Sequence, residues 1–132
     1  MRFRKRDRTW SRALNAVLDT GSTRCLLTLA LARGLGIEAA PDSEELRGAG
    51  GPFRAAPSKC DARIVDAHYP DATLWEVADL EVWVPVDEKA LEVTILGWDL
   101  LRLFDMTISH RKGRIDLRSA LPHPEGRGGV PE

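Results

Sequence analysis

The sequence predicts an all-β domain with one or two short helices. The clearest signal is hydrophobic alternation with a period of two, which is typical of strands that bury one face. Runs of this kind cover residues 61–64, 80–86, 106–109 and 114–118. Turn-forming residues separate the last two runs, as expected for antiparallel neighbours. A length of 132 residues fits one domain built on one core.

The composition is that of a globular chain. It is 43% hydrophobic and 30% charged with a net charge of −1, so nothing global indicates nucleic acid or a membrane. No stretch approaches the ~20 apolar residues of a membrane span. Cys25 and Cys60 lack metal or redox spacing, which favours buried thiols in a reducing compartment. The basic start imitates a signal peptide, but Arg12 and Asn15 interrupt its apolar stretch. A cytoplasmic location is therefore expected.

Both ends of the chain are predicted to lie outside the packed domain. Residues 1–12 are strongly basic and are interpreted as an N-terminal arm rather than a buried strand. Such an arm could contact phosphates; with only Trp10 nearby, a solvated segment is favoured and no nucleic-acid partner is expected. Residues 119–132 are rich in Gly, Pro and charge, which predicts a disordered tail. The folded domain is thus expected over 13–118.

The first folded segment is predicted to be an apolar strand over 13–18. We expect it to bury Val17 and Leu18 and to stop at the turn-forming stretch 19–22, which reads Asp-Thr-Gly-Ser. The following segment, 25–36, contains helix formers and ends in glycines, which predicts a helix with a C-terminal stop.

Two later segments have distinct signatures. Glycines crowd residues 48–51, between segments that could be strands, and this predicts a mobile hairpin tip. Residues 94–105 read TILGWDLLRLFD, which predicts a short strand up to Gly97 and then one or two helical turns with Asp99 in the first.

The Asp-Thr-Gly stretch is the strongest candidate for chemistry. Such tripeptides are common in ordinary turns, so by itself a turn without function is an open alternative. A preceding apolar strand, however, would hold the carboxylate of Asp19 in a poorly solvated place. Thr20 adds a hydroxyl that can bond across to another backbone group, and Gly21 permits close approach of a second chain.

Three segments together resemble one family. The stretch AVLDTGST resembles the active-site loop of the retropepsin-like aspartic proteases, RGAGGPFRA is similar to their flap, and TILGWDLL resembles their strand–glycine–helix segment. The resemblance covers roughly residues 13 to 118. It implies a retropepsin-like acid protease barrel with a flap hairpin and one or two short helices. It also implies an aspartic endopeptidase that needs no cofactor or metal.

The resemblance further implies roles for individual residues. Thr20 would lock two active-site loops together, and Gly97 would pack beneath the loop. The implied catalytic residues are Asp19, Thr20 and Gly21. The implied substrate-binding residues are Ser22, Gly48, Ala49, Gly50, Gly51, Pro52 and Val84, with Val17, Leu46 and Phe53 as further pocket walls.

The implied mechanism needs two aspartates that share one proton across a water. The sequence contains one Asp-Thr-Gly and no internal repeat, so the second carboxylate is expected from a second copy. This predicts a homodimer with Asp19 of each copy at the two-fold axis and a peptide or protein substrate. We also expect Ser22 to donate a hydrogen bond to ionised Asp19 and thereby to favour activity at acid pH.

The sequence departs from the family at its start, where an apolar strand is replaced by the basic segment. Either the dimer interface is built differently, for instance from the hairpin at 106–118, or the native chain begins earlier. Pro52 is also unusual for a flap strand, since it removes a ladder donor. The rival function is a non-catalytic dimerisation or peptide-binding module on the same fold. The histidines are interpreted as surface residues, and Trp75, Trp83 and Trp98 as core or pocket-wall residues.

Overall fold

A computed structural model describes residues 1–38, 41–48 and 50–119. The strands within these ranges are β1 Arg2–Phe3, β2 Val17–Leu18, β3 Cys25–Leu26, β4 Glu44–Gly48, β5 Gly51–Val65, β6 Thr73–Pro85, β7 Ile95–Leu96, β8 Phe104–Ser109 and β9 Arg114–Ser119. The helices are α1 Leu29–Leu35, α2 Trp98–Leu101 and a 3₁₀ turn at Glu88–Ala90. The predicted all-β class with short helices is confirmed.

The strands form one curled sheet and a separate hairpin. The order in the main sheet is β1-β5-β6-β3-β7-β2, with β4 paired to β5, while β8 and β9 pair only with each other in the described residues. The long antiparallel pair β5–β6 is the frame, and the inward residues of its alternation, such as Ala62 and Val82, are fully buried. Strand alternation therefore produces the core, as the sequence predicts.

The basic start is not a free arm. Arg2 and Phe3 pair with β5, and the Phe3 side chain is fully buried in the main core. Burial of a phenylalanine stabilises a fold by about 1.5–3 kcal/mol, enough to fix this segment in place. The flanking arginines point to acids, with Arg2 at 3.2 Å from Asp71 and Arg4 at 3.3 Å from Asp61. The prediction of an arm over residues 1–12 is wrong for this strand.

The helix predicted over 25–36 begins later than expected, at Leu29. Thr28 caps it by accepting the backbone N–H of Leu31, and it ends at Gly36, which has the left-handed conformation (φ 72°). Residues Cys25–Leu26, at the start of the predicted helix, instead form β3, which lies between β6 and β7. The predicted C-terminal stop is confirmed.

The hairpin β8–β9 carries the period-two alternation of 106–109 and 114–118, but most of this alternation is not buried. Met106 lies opposite Leu117 and Ile108 opposite Ile115, so the four side chains share one face. Ile108 is 54% exposed and Ile115 47% exposed. The expectation that these strands pack on the common core is therefore wrong for the outer half of the hairpin. Ser119 ends β9, and the rest of the predicted tail lies outside the described residues.

Candidate active site

Asp19 stands at the end of a parallel strand pair. β2 pairs with β7, and the backbone N–H of Asp19 extends this ladder by donating to the Leu96 carbonyl at 3.0 Å. The predicted strand is confirmed at Val17–Leu18, but its predicted burial is wrong, since Val17 is 48% and Leu18 37% exposed. Two exposed apolar side chains therefore precede the partly buried Asp19.

The Asp-Thr-Gly turn holds its own carboxylate. The Gly21 N–H donates to Oδ1 of Asp19 at 2.9 Å, and the Ser22 N–H donates to the Asp19 carbonyl at 3.1 Å. Such turns, in which an aspartate bonds the backbone two residues on, fix the side-chain direction. Thr20 and Gly21 are exposed and Asp19 is partly exposed, so the turn lies at the surface of the chain.

Ser22 does not have the predicted contact. Its hydroxyl donates to the Arg24 carbonyl at 2.8 Å rather than to the Asp19 carboxylate. The hydroxyl satisfies a carbonyl two residues further along the same loop, and this local bond fixes the rotamer. The prediction that Ser22 donates to the Asp19 carboxylate is therefore wrong for this chain, and the expected activity at acid pH has no support from this contact.

The segment after β7 supports the loop from beneath. The N–H of Trp98 donates to the Ser22 carbonyl at 2.9 Å and that of Asp99 to the Thr23 carbonyl at 3.1 Å. Gly97 lies so close that an added Cβ would stand 2.4 Å from the Arg24 carbonyl oxygen. This contact matches the expected position of Gly97 beneath the loop. One Asp99 oxygen, Oδ2, is buried without a hydrogen-bond partner among the described residues.

The side chain of Trp98 adds a contact that sequence reasoning missed. The sequence predicts a core or pocket-wall position for Trp98, but the residue is 41% exposed and its indole N–H donates to the Thr20 carbonyl at 2.7 Å. No sequence signal indicates this bond, because its partners lie 78 residues apart.

The glycine-rich segment forms the predicted hairpin. β4 and β5 pair with Gly48 opposite Gly51, Arg47 opposite Pro52 and Leu46 opposite Phe53. Pro52 is thus accommodated in the strand. Ala49 lies outside the described residues.

The base of this hairpin packs on a second apolar cluster. The cluster contains Leu26, Ala55, Trp83, Leu46, Phe53, Leu91 and Ile95. Ile95 is also the register partner of Val17 in the strand pair that leads to Asp19. The cluster therefore links the hairpin to the Asp19 loop.

Val84 does not lie where a ligand could contact it. It is 2% exposed and pairs with Ala56 inside the β5–β6 frame, because its place in the alternation of β6 turns it to the packed interior. The partly buried side chains at the hairpin base are Leu46 and Phe53.

The cysteines near the loop are poor nucleophiles. Both are free and buried. Burial raises the pKa of the Cys60 thiol to about 12 and also raises that of Cys25, whose Sγ lies 4.0 Å from the Gly97 carbonyl oxygen. A buried thiol of raised pKa is inert, so neither cysteine is a candidate nucleophile. The described residues contain no group of three or more His, Cys, Asp and Glu side chains placed to hold a metal ion. They also include no helix with the length and hydrophobicity to cross a membrane.

Comparison with known proteins defines the class and then the family. The structure is similar to the crystal structure of a retropepsin-like aspartic protease from Rickettsia conorii, with a TM-score of 0.52 and 22% identity over 71% of this chain and 72% of that chain. The fold is thus the retropepsin-like all-β fold. Residues 11–100 match the aspartyl protease family, and the chain belongs to that family. No curated protein matches the sequence.

Proposed function

We propose that the chain is an aspartic endopeptidase whose active site forms between two copies. The observation that carries the proposal is the placement of Asp19: it stands at the end of the β2–β7 pair, at the surface of the chain, with Oδ1 held by the Gly21 N–H. Family membership supports the same chemistry.

A second copy is needed because one carboxylate cannot be both acid and base in the same step. Two carboxylates brought close together cannot both ionise, so the pair shares one proton. The ionised member takes a proton from a water as that water attacks the peptide carbonyl, and the protonated member polarises the carbonyl oxygen. The roles then reverse to protonate the leaving amine. The chain supplies one Asp-Thr-Gly, so the dyad is Asp19 with the partner's Asp19.

The exposed surface around Asp19 supports this pairing. Val17 and Leu18 precede the carboxylate and remain exposed in the single chain. Thr20, also exposed, is the residue proposed to lock the two loops together. Packing Val17 and Leu18 against the same residues of a second copy would bring the two acids together on a two-fold axis.

We assign a second part of the interface to the hairpin β8–β9. A lone two-stranded hairpin is marginally stable in water, and this one exposes the paired side chains of Ile108 and Ile115. Packing that face against the same face of a second copy would stabilise the hairpin and would bury these two side chains.

The substrate is proposed to be an extended peptide. The glycine-rich hairpin (Gly48, Gly50, Gly51 and Pro52) would act as a flap, and strand-like backbone pairing would hold the peptide below it. Ala49, outside the described residues, is proposed as a further substrate-binding residue. Leu46 and Phe53 would offer apolar contacts from the hairpin base. Ser22 would contact the substrate from its position in the Asp19 loop. The cytoplasmic location and the absence of a nucleic-acid partner remain predictions.

The test compares wild type with Asp19→Asn on a peptide library between pH 4 and 7. Asparagine keeps an oxygen that can accept the Gly21 N–H, so the variant should fold as the wild type does. We expect wild-type cleavage and none by the variant. Equal cleavage by both proteins would exclude Asp19 as the catalyst. A wild type that binds peptides and dimerises without cleaving any would favour the non-catalytic module.

A further inference from the structure

Trp98 contacts the Asp19 loop through a hydrogen bond although the residue is not buried in the core. The residue is 41% exposed, yet its indole nitrogen lies 2.7 Å from the Thr20 carbonyl oxygen. Its backbone N–H holds the Ser22 carbonyl at 2.9 Å. One residue therefore holds the loop on both sides of Gly21.

The Thr20 carbonyl belongs to the same peptide group as the Gly21 N–H, and that N–H donates to Oδ1 of Asp19 at 2.9 Å. The contacts form a chain from the Trp98 indole N–H, through the planar peptide 20–21, to the Asp19 carboxylate. Because the peptide group is rigid, fixing its oxygen also fixes the direction of its N–H. Hydrogen bonds in such a chain also polarise one another.

We propose that Trp98 is a positioning residue that orients the Asp19 carboxylate and strengthens its hydrogen bond through the 20–21 peptide. This inference rests on the proposed function for its kinetic part. Loss of the indole donor should therefore misplace the acid.

The test variant is Trp98→Phe, which keeps an aromatic ring and removes the N–H. The matched control is Trp10→Phe, whose ring lies in the N-terminal segment, 3.9 Å from the Arg63 guanidinium carbon. Both are compared with wild type at enzyme concentrations where each is dimeric by mass.

For Trp98→Phe we expect kcat to fall about threefold to tenfold with KM within about twofold, the scale of one hydrogen bond. Trp10→Phe should behave as wild type. An unchanged kcat in Trp98→Phe would overturn the inference. So would a loss of kcat that disappears when the enzyme concentration is raised, because Trp98 would then act in association.

Amide hydrogen exchange tests the same contact without catalysis. In Trp98→Phe the Gly21 amide should exchange about threefold faster or more than in wild type and in Trp10→Phe. Equal exchange in the three proteins would overturn the inference. If wild type cleaves no peptide, the proposed function fails, and the Gly21 exchange rate alone decides whether Trp98 holds the loop.

Discussion

Replacement of Gly97 by alanine should destabilise the chain strongly. The added Cβ would lie 2.4 Å from the Arg24 carbonyl oxygen and 2.5 Å from that of Ser22. Both atoms are backbone, so the active-site loop must move away from α2. Overpacking of this kind costs about 1–3 kcal/mol.

The movement also breaks hydrogen bonds. The Trp98 and Asp99 N–H groups hold the Ser22 and Thr23 carbonyls, and each such bond contributes about 1 kcal/mol. The expected loss for Gly97→Ala is therefore about 3–5 kcal/mol, a large share of the roughly 5–15 kcal/mol that stabilises a typical domain.

Urea unfolding measures this loss as a lower midpoint at an unchanged slope. The control is Gly34→Ala in α1, where a Cβ meets nothing within 4 Å; alanine there should stabilise the helix by about 0.5–1 kcal/mol. A loss below about 1 kcal/mol in Gly97→Ala would refute the close contact between loop and α2.

Three further predictions concern the hairpins and a buried thiol. Gly51 has φ 108°, so Gly51→Ala should strain the glycine-rich hairpin and lower kcat/KM several-fold, whereas Gly34→Ala in α1, where a Cβ meets nothing within 4 Å, should change it little; equal kinetics would contradict a role for the hairpin. Ile115→Asp should raise the dimer dissociation constant by about tenfold or more, since it buries a charge at the proposed interface, while Tyr69→Asp, at a 73% exposed position, should not. Sedimentation equilibrium measures both dissociation constants, and equal constants would place the interface elsewhere. Because burial raises the pKa of Cys60 from 9.0 to about 12, the unfolded thiol releases its proton first, so the free energy of unfolding should fall as pH rises between these values. Cys60→Ala should lack this part of the slope, and identical slopes would show that the thiol ionises equally in both states.

Local patterns predicted the features that depend on neighbours in sequence. The glycines at 48–51 fix a hairpin because the turn sets its register, and Gly36 ends a helix because the conformation it adopts is local. The Asp-Thr-Gly turn likewise holds its own carboxylate through a bond two residues long.

The wrong predictions concern features that depend on the folded chain rather than on the local sequence pattern. Phe3 is buried because β5 pairs with it, and a two-residue strand is too short for periodicity to show. The Ser22 hydroxyl donates to the Arg24 carbonyl, a partner that depends on how the loop folds. Val17 and Leu18 read as core residues from their hydrophobicity, but β7 pairs with them and leaves their side chains exposed.

The most direct test of a shared active site mixes wild type with Asp19→Asn. Subunits are exchanged at a fixed wild-type concentration, and peptide cleavage is followed as the variant is added. If the site needs one Asp19 from each copy, a ninefold excess of variant should lower activity to about a tenth, since most wild-type chains then pair with an inactive partner. Activity that stays constant throughout the mixing series would contradict the account, because each chain would then carry a complete site of its own.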